Sequence, residues 1–271
     1  MTVAAPGYHD NAEAWLVGAH PAYQRLADAL VAQAPREWDG ALVLDLGAGT
    51  GTASSALRAG GANVVALDAA PAMLALARTL VPDLATVAAD AFGLPFADAT
   101  FGGAVSAFCI NHADRPAAML AELLRVVRPG SAVLASTFGA EPEPVAKLAV
   151  EDVARRYGWH PSPWQLSLRQ NTQLTDEPHL LESCATQAGL TQVEVIEQVV
   201  DTGLRTPAEL VGWRLGLGEL AAFVTGLEPA DRDQLVAEAT AAVAATTDFG
   251  SAGSAQPLLR RVLMLSSRAP A

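Results

Sequence analysis

Lysine is almost missing from this 271-residue chain: Lys147 is the only one, and every other basic side chain is arginine. Positive charge is scarce altogether, with 17 Lys and Arg against 29 Asp and Glu and a formal net charge of −12. A surface that tracks phosphates needs clustered cations, so neither nucleic acid nor an anionic membrane is an expected partner. Cysteine is scarce too. Cys109 and Cys184 stand far apart with no CxxC, which argues against a disulfide framework or a structural zinc site and leaves two buried, reduced thiols. Carboxylates and histidines do not cluster at ligand spacing, so no metal is expected. No apolar run reaches the roughly 18 residues a membrane span needs. The opening MTVAAPGYHDNAE lacks a basic n-region and an apolar h-region. No secretion signal is read there, and a cytoplasmic location is expected.

What is present is apolar: 51% hydrophobic residues and 17% charged ones describe a globular chain. The length suits one large α/β domain or a core with a cap. Residues 1–271 read as a single domain, with N-terminal helices over 1–40, a core over 41–138, and a cap with C-terminal strands over 139–271. Residues 9–33 carry apolar positions at helical spacing, broken at Pro21, and predict two helices. Five short strands then alternate with helices: Ala41–Leu46, Val64–Asp68, Thr86–Ala89, Ala104–Ile110 and Ser131–Phe138. That rhythm predicts a doubly wound parallel sheet of Rossmann-like type, helices on both faces. Beyond it the spacing predicts helices near 145–157, 178–188, 206–215 and 217–246, strands over 193–200 and 258–266, and a surface loop at 250–255. Trp159-His160-Pro161-Ser162-Pro163-Trp164 reads either as an aromatic pocket wall or as an exposed lid packed on itself.

Asp45-Leu46-Gly47-Ala48-Gly49-Thr50-Gly51 lies where the first strand meets its helix, at the carboxyl edge of the sheet. The dinucleotide fingerprint GxGxxG is not met, and the P-loop lysine is missing. Instead Asp45 precedes the glycines. A carboxylate there repels phosphate and suits an ammonium group. Asp68 ends the second strand, where a carboxylate can accept from both ribose hydroxyls. Met73 opens the next helix and can lie over an adenine. Asp90 can take the adenine amino group while the Ala91 amide meets a ring nitrogen. An adenosine bearing an ammonium and no phosphate is S-adenosylmethionine.

Four segments, VLDLGAGTG (43–51), LDAAPAMLALAR (67–78), DAFGLPFADATF (90–101) and LAELLRVVRPGSAVLAS (120–136), resemble the class I S-adenosylmethionine-dependent methyltransferases. The small-molecule type of quinone biosynthesis and natural-product tailoring is the most similar. The resemblance implies a seven-stranded sheet of order 3-2-1-4-5-7-6 with the last strand antiparallel. It implies that Gly47 and Gly49 line the methionine part, Asp68 the ribose, and Asp90 and Ala91 the adenine. The backbone around Ser106-Ala107-Phe108 is implied at the methionine end. With Ala48, Gly51, Ala69 and Phe92 beside them, and with Asp45 and Met73, these form the candidate cofactor set. One departure stands out: Gly102-Gly103 where the family usually carries aspartate, from which a loss of loop order is expected.

Methyl transfer needs placement of the acceptor and removal of its proton. Asn111-His112 follows the fourth strand, and His112 is the candidate general base, unless it only shapes the loop. His9 beside Tyr8, and His160 between two tryptophans, are weaker candidates. His179 reads as a first-turn helix residue and His20 as helix punctuation. Trp213 can pack on the cleft, and Arg214 can pair with a substrate carboxylate or with an internal acid. The expected activity is methyl transfer to a small, largely apolar acceptor, at oxygen, with nitrogen, sulfur and carbon left open. Two alternatives remain: a cyclase, decarboxylase or hydroxylase on the same fold with the cofactor bound, or a non-catalytic binding subunit. The acceptor and the oligomeric state are not legible.

Overall fold

The computed structural model describes Tyr8, residues 11–246 and residues 258–271. Strand β1 (Leu42–Leu46) buries Val43, Leu44 and Leu46 completely, as a strand covered on both faces must. It pairs in parallel with β2 (Asn63–Asp68) on one side and β4 (Phe101–Ala107) on the other. Strand β3 (Ala85–Ala88) lies outside β2, and β5 (Val127–Phe138) outside β4, both parallel. Strand β7 (Leu259–Arg268) then runs antiparallel between β5 and β6 (Thr191–Asp201). The order is therefore β3-β2-β1-β4-β5-β7-β6, as the resemblance implies.

The carboxyl ends of β1, β2 and β4 open at one edge, and helices start from that edge. Helix α3 (Thr52–Ala59) buries Ala53, Ser54 and Leu57, and α4 (Pro71–Leu80), with proline in its first turn, buries Met73, Leu74 and Ala77. Helix α5 (Pro116–Val126) buries Met119, Leu120, Leu123 and Val126 against the other face.

Outside this core, α1 (Ala12–Gly18) and α2 (His20–Val31) precede the sheet. Helices α6 (Val145–Arg156), α7 (Pro163–Thr172) and α8 (Pro178–Gln187) follow β5. Helices α9 (Pro207–Gly216), α10 (Gly218–Thr225) and α11 (Pro229–Ala244) lie between β6 and β7. Trp15, Val150, Trp159, Trp213 and Leu235 share one hydrophobic cluster that also reaches Ala70 and Met73 at the start of α4, so α1, α6, α9 and α11 pack together as a cap on the core.

Three expectations need correction. Gly102-Gly103 is no loop: β4 already begins at Phe101. A Cβ on Gly103 would fall 2.1 Å from Trp38 Nε1, so the missing side chain makes room for a buried indole rather than loosening the chain. At its other end β4 stops at Ala107, not Ile110; Phe108 adopts φ +53 and turns the chain into a short 3-10 segment, Ile110–His112. The 159–164 stretch does not form one lid. Ser162 caps α7 in a capping box with Gln165, a signal that Pro161 and Pro163 on either side of it obscured. The surface loop expected at 250–255 lies outside the described residues.

Candidate functional site

The chain leaves β1 through the glycine loop. Gly47 has φ +72, and a Cβ there would fall 2.3 Å from Cys109 Sγ, so only glycine lets the loop pass this close to the segment after β4. The amides of Gly47 and Ala48 both donate to the Leu67 carbonyl, at 2.8 and 3.0 Å. The amide of Gly49 donates to Asp68 Oδ2 and that of Ala70 to Asp68 Oδ1, each at 2.8 Å. Burial raises the Asp68 carboxyl above its usual range, and the amides of Ala70, Gly49 and Ala69 partly offset this. Asp45 lies beneath the loop, fully buried; one oxygen accepts from Ser54 Oγ at 2.6 Å and the other has no hydrogen-bond partner among the described residues. Burial pushes its carboxyl up to about 6, against the hydrogen bond from Ser54.

Beyond the loop opens a cavity of about 270 Å³. Setting aside Ser106, which is buried and outside the lining, twelve of the other fourteen candidates for cofactor and base line it: Gly47, Ala48, Gly49, Asp68, Ala69, Met73, Asp90, Ala91, Phe92, Ala107, Phe108 and His112. Asp45 and Gly51 do not. Asp45 is screened by the loop it supports, and Gly51 caps α3 and faces Ala77 of α4. Asp90 bends its carboxylate back to accept from the Phe92 amide at 3.0 Å, which fixes the turn after β3.

The opposite wall is aromatic. The ring of Tyr8 lies near-parallel to His112, centroids 6.0 Å apart, and edge-on to Trp15 and Trp164 at 5.4 and 5.9 Å. Trp15 leans on Tyr23, and Tyr23 stands edge-on to Phe108. Helix α7 closes this side with Trp164, Ser167, Leu168 and Asn171. Asn171 Nδ2 donates to the His112 carbonyl at 2.8 Å, tying α7 to the turn that carries the histidine. Cys109 lies between loop and wall, and burial pushes its thiol up to about 12, so it stays neutral.

The remaining candidates fall elsewhere. His160 and His179 are exposed and away from the cavity. His20 does more than punctuate a helix: its Nδ1 lies 2.8 Å from Thr50 Oγ1 of the glycine loop, and burial lowers its pKa. Trp213 and Trp159 are buried in the cap cluster. Arg214, with no exposed surface, pairs internally with Glu151 at 2.7 Å, the second of its two expected roles. His9 lies outside the described residues. Trp15, Tyr23, Ser167, Leu168 and Asn171 were missed as site residues. The first two carry only the helical periodicity of core positions, and α7 itself went unrecognised.

These donors and acceptors fit an adenosine that bears no phosphate. Carboxylates stand at the end of β2 and in the turn after β3, Met73 and Phe92 supply apolar faces, and no lysine or arginine is among the described lining residues. Among the described residues no group of His, Cys, Asp or Glu is placed to hold a metal, and no helix is long and apolar enough to cross a membrane.

Comparison with known proteins agrees with this arrangement. Residues 44–135 match a family described as a methyltransferase domain. The chain is 43% identical over 103 residues to a demethylmenaquinone methyltransferase of Beutenbergia cavernae, covering 38% of this chain and 43% of that one. It is 31% identical over 185 residues to a malonyl-[acyl-carrier protein] O-methyltransferase of Erwinia billingiae, covering 63% and 72%. The chain spans about half the length of the first curated relatives, 43% and 55% of two demethylmenaquinone methyltransferases. Among solved structures, phosphoethanolamine N-methyltransferase 2 of Haemonchus contortus superposes with a TM-score of 0.55 at 19% identity, over 90% of this chain and 52% of that one, a likeness of fold. Sheet order, glycine loop and these similarities together place the chain in the class I S-adenosylmethionine-dependent methyltransferases.

Proposed function

We propose that this chain transfers a methyl group from S-adenosylmethionine to an oxygen of a small-molecule acceptor. The observation that carries the reading is a single cavity that joins the glycine loop and Asp68 on one side to His112 and an aromatic wall on the other. When bound, the cofactor supplies a methyl group on a cationic sulfur, already activated for displacement. The protein's work is then to hold two molecules in line and to accept one proton.

Asp68 keeps lone pairs for two ribose hydroxyls after accepting from Gly49 and Ala70. Met73 and Phe92 bracket the adenine, with Asp90 and the Ala91 amide at its edge. Gly47, Ala48, Gly49 and Ala69, with the backbone of Ala107 and Phe108, surround the methionine end. Asp45 and Gly51 support the loop from behind and make no contact through the cavity. His112 takes the acceptor's proton as the new carbon–oxygen bond forms. Tyr8 and Trp164 hold the acceptor beside it and exclude water.

The test is binding followed by product mass. Calorimetry should give an affinity for S-adenosylmethionine and for S-adenosylhomocysteine, with no heat for NAD. Incubation with methyl-labelled cofactor and a panel of hydroxylated small molecules should yield a product heavier by one methylene unit. Turnover of an acceptor without that gain would replace methyl transfer by another reaction on the same site.

A further inference from the structure

Charge is spread unevenly around the cavity. Its described lining residues include three carboxylates, Asp68, Asp90 and Asp114, and no side-chain cation. The sequence of the remaining segments, 1–7, 9–10 and 247–257, contains no lysine or arginine. Three arginines approach from behind, each beside a carboxylate. Arg115 lies 4.9 Å from the centroid of the Phe92 ring and faces Asp114 at 3.8 Å. Arg169, on α7, reaches back to Glu151 at 3.3 Å. Arg260 stacks 4.4 Å over Phe138 behind Phe108 and pairs with Glu141 at 2.6 Å.

The wall offers other chemistry. Tyr8, Trp15, Tyr23 and Trp164 present ring faces and edges. Ser167 and Asn171 add neutral hydrogen-bonding groups, and the indole N–H of Trp164 is buried with no hydrogen-bond partner among the described residues. A ring placed here exchanges water for aromatic contact. A carboxylate or phosphate placed here gives up its water and finds no lysine or arginine among the described lining residues to replace it.

We propose that the acceptor side selects an uncharged, ring-bearing molecule with a hydroxyl group and rejects carboxylates and phosphates. Ser167 and Leu168 on α7 line the wall, so a cation introduced at either tests this selection. The proposal rests on the reading of this cavity as a methyl-transfer site.

The experiment compares three probes of one shape: 2-naphthol, 2-naphthoate and 2-naphthyl phosphate. Binding is measured by calorimetry at pH 7 on the full chain, with and without saturating S-adenosylhomocysteine. The expected result is 2-naphthol at least about tenfold tighter than either anion, the scale of one charge-assisted contact. Ser167→Arg should then tighten 2-naphthoate about tenfold, with Leu168→Arg as the parallel variant and circular dichroism confirming that each is folded. Anions that bind the unaltered protein as tightly as 2-naphthol would overturn the proposal, and so would failure of all three rings to bind. Methyl incorporation into 2-naphthol is read separately. The expected binding order without incorporation would count against methyl transfer and leave the charge selection standing.

Discussion

The amide of Gly49 donates to Asp68 Oδ2 at 2.8 Å, so the carboxylate that ends β2 also holds the loop that leaves β1. One side chain thereby shapes the loop and faces the cavity. Asp68→Ala should lose both functions. With each charge-assisted bond worth about 1.5–3 kcal/mol, affinity for S-adenosylmethionine should fall at least tenfold, and the Gly49 amide should exchange its hydrogen faster. Asp68→Asn keeps one acceptor oxygen and should lose less. Unchanged affinity in the alanine variant, measured by calorimetry, would remove Asp68 from the binding site.

Asp45 gives the pH dependence a definite sign. Its carboxyl is raised from 3.8 to about 6 by burial, so the native state binds this proton more tightly than the unfolded chain does. The stabilisation this group supplies is complete below pH 3.8 and is lost as pH rises through about 6. A shift of this size corresponds to roughly 3 kcal/mol. In Asp45→Asn the proton-linked part disappears. Urea unfolding at pH 4 and at pH 7.5 should show the variant losing less stability between the two than the unaltered protein, by up to roughly 3 kcal/mol. An identical pH difference in both proteins would show that Asp45 titrates in its ordinary range.

Glu151 is the hub of the cap. It is 1% exposed and accepts from Arg214 of α9, Arg155 of its own helix and Arg169 of α7, at 2.7, 3.1 and 3.3 Å. Burial would raise its carboxyl, but Arg214 first, then Arg169 and Lys147, bring it below the usual range. Glu151→Ala takes the carboxylate away from a completely buried guanidinium, which costs about 3–5 kcal/mol. The melting temperature should drop by roughly 10 °C. Because Arg169 also loses its anchor, α7 should show the largest gain in hydrogen exchange outside the cap cluster. A melting temperature within a degree or so of the original would mean the ion network contributes no net stability.

What the sequence made legible is the part governed by short-range rules. The apolar run of β1, the glycines after it and the carboxylate at the end of β2 lie on consecutive elements, and local chemistry fixes where each points. Twelve candidate residues meet in one cavity for that reason. Most failures are matters of long-range packing; the missed start of α7, a local capping box, is the exception. Gly103 looked like a loop glycine, because its partner, Trp38, is far away in the chain and lies against it only in the folded sheet. Asp45 looked like a ligand group, since nothing local reveals that the loop folds over it and that Ser54 claims one oxygen. Trp159 and Trp164 looked equivalent. One turns into the cap and the other onto the cavity because a capping box starts α7 between them.

The test of His112 must separate chemistry from architecture, because its turn is held by Asn171 and its ring lies beside Tyr8. If His112 takes the acceptor's proton, His112→Ala should lower turnover by about 10²–10⁴-fold, the usual scale of general acid–base catalysis. Affinity for S-adenosylmethionine should stay nearly constant, because His112 is not among the proposed cofactor contacts. The acid limb of the pH–rate profile, where a base must lose its proton to work, should disappear. Asn171→Ala is the architectural control: it frees the turn while leaving the imidazole in place, so turnover should fall less and the acid limb should persist. Near-normal turnover in His112→Ala would leave placement of the acceptor as the main catalytic device. A loss of the acid limb in both variants would instead mean that the limb reports the integrity of the turn.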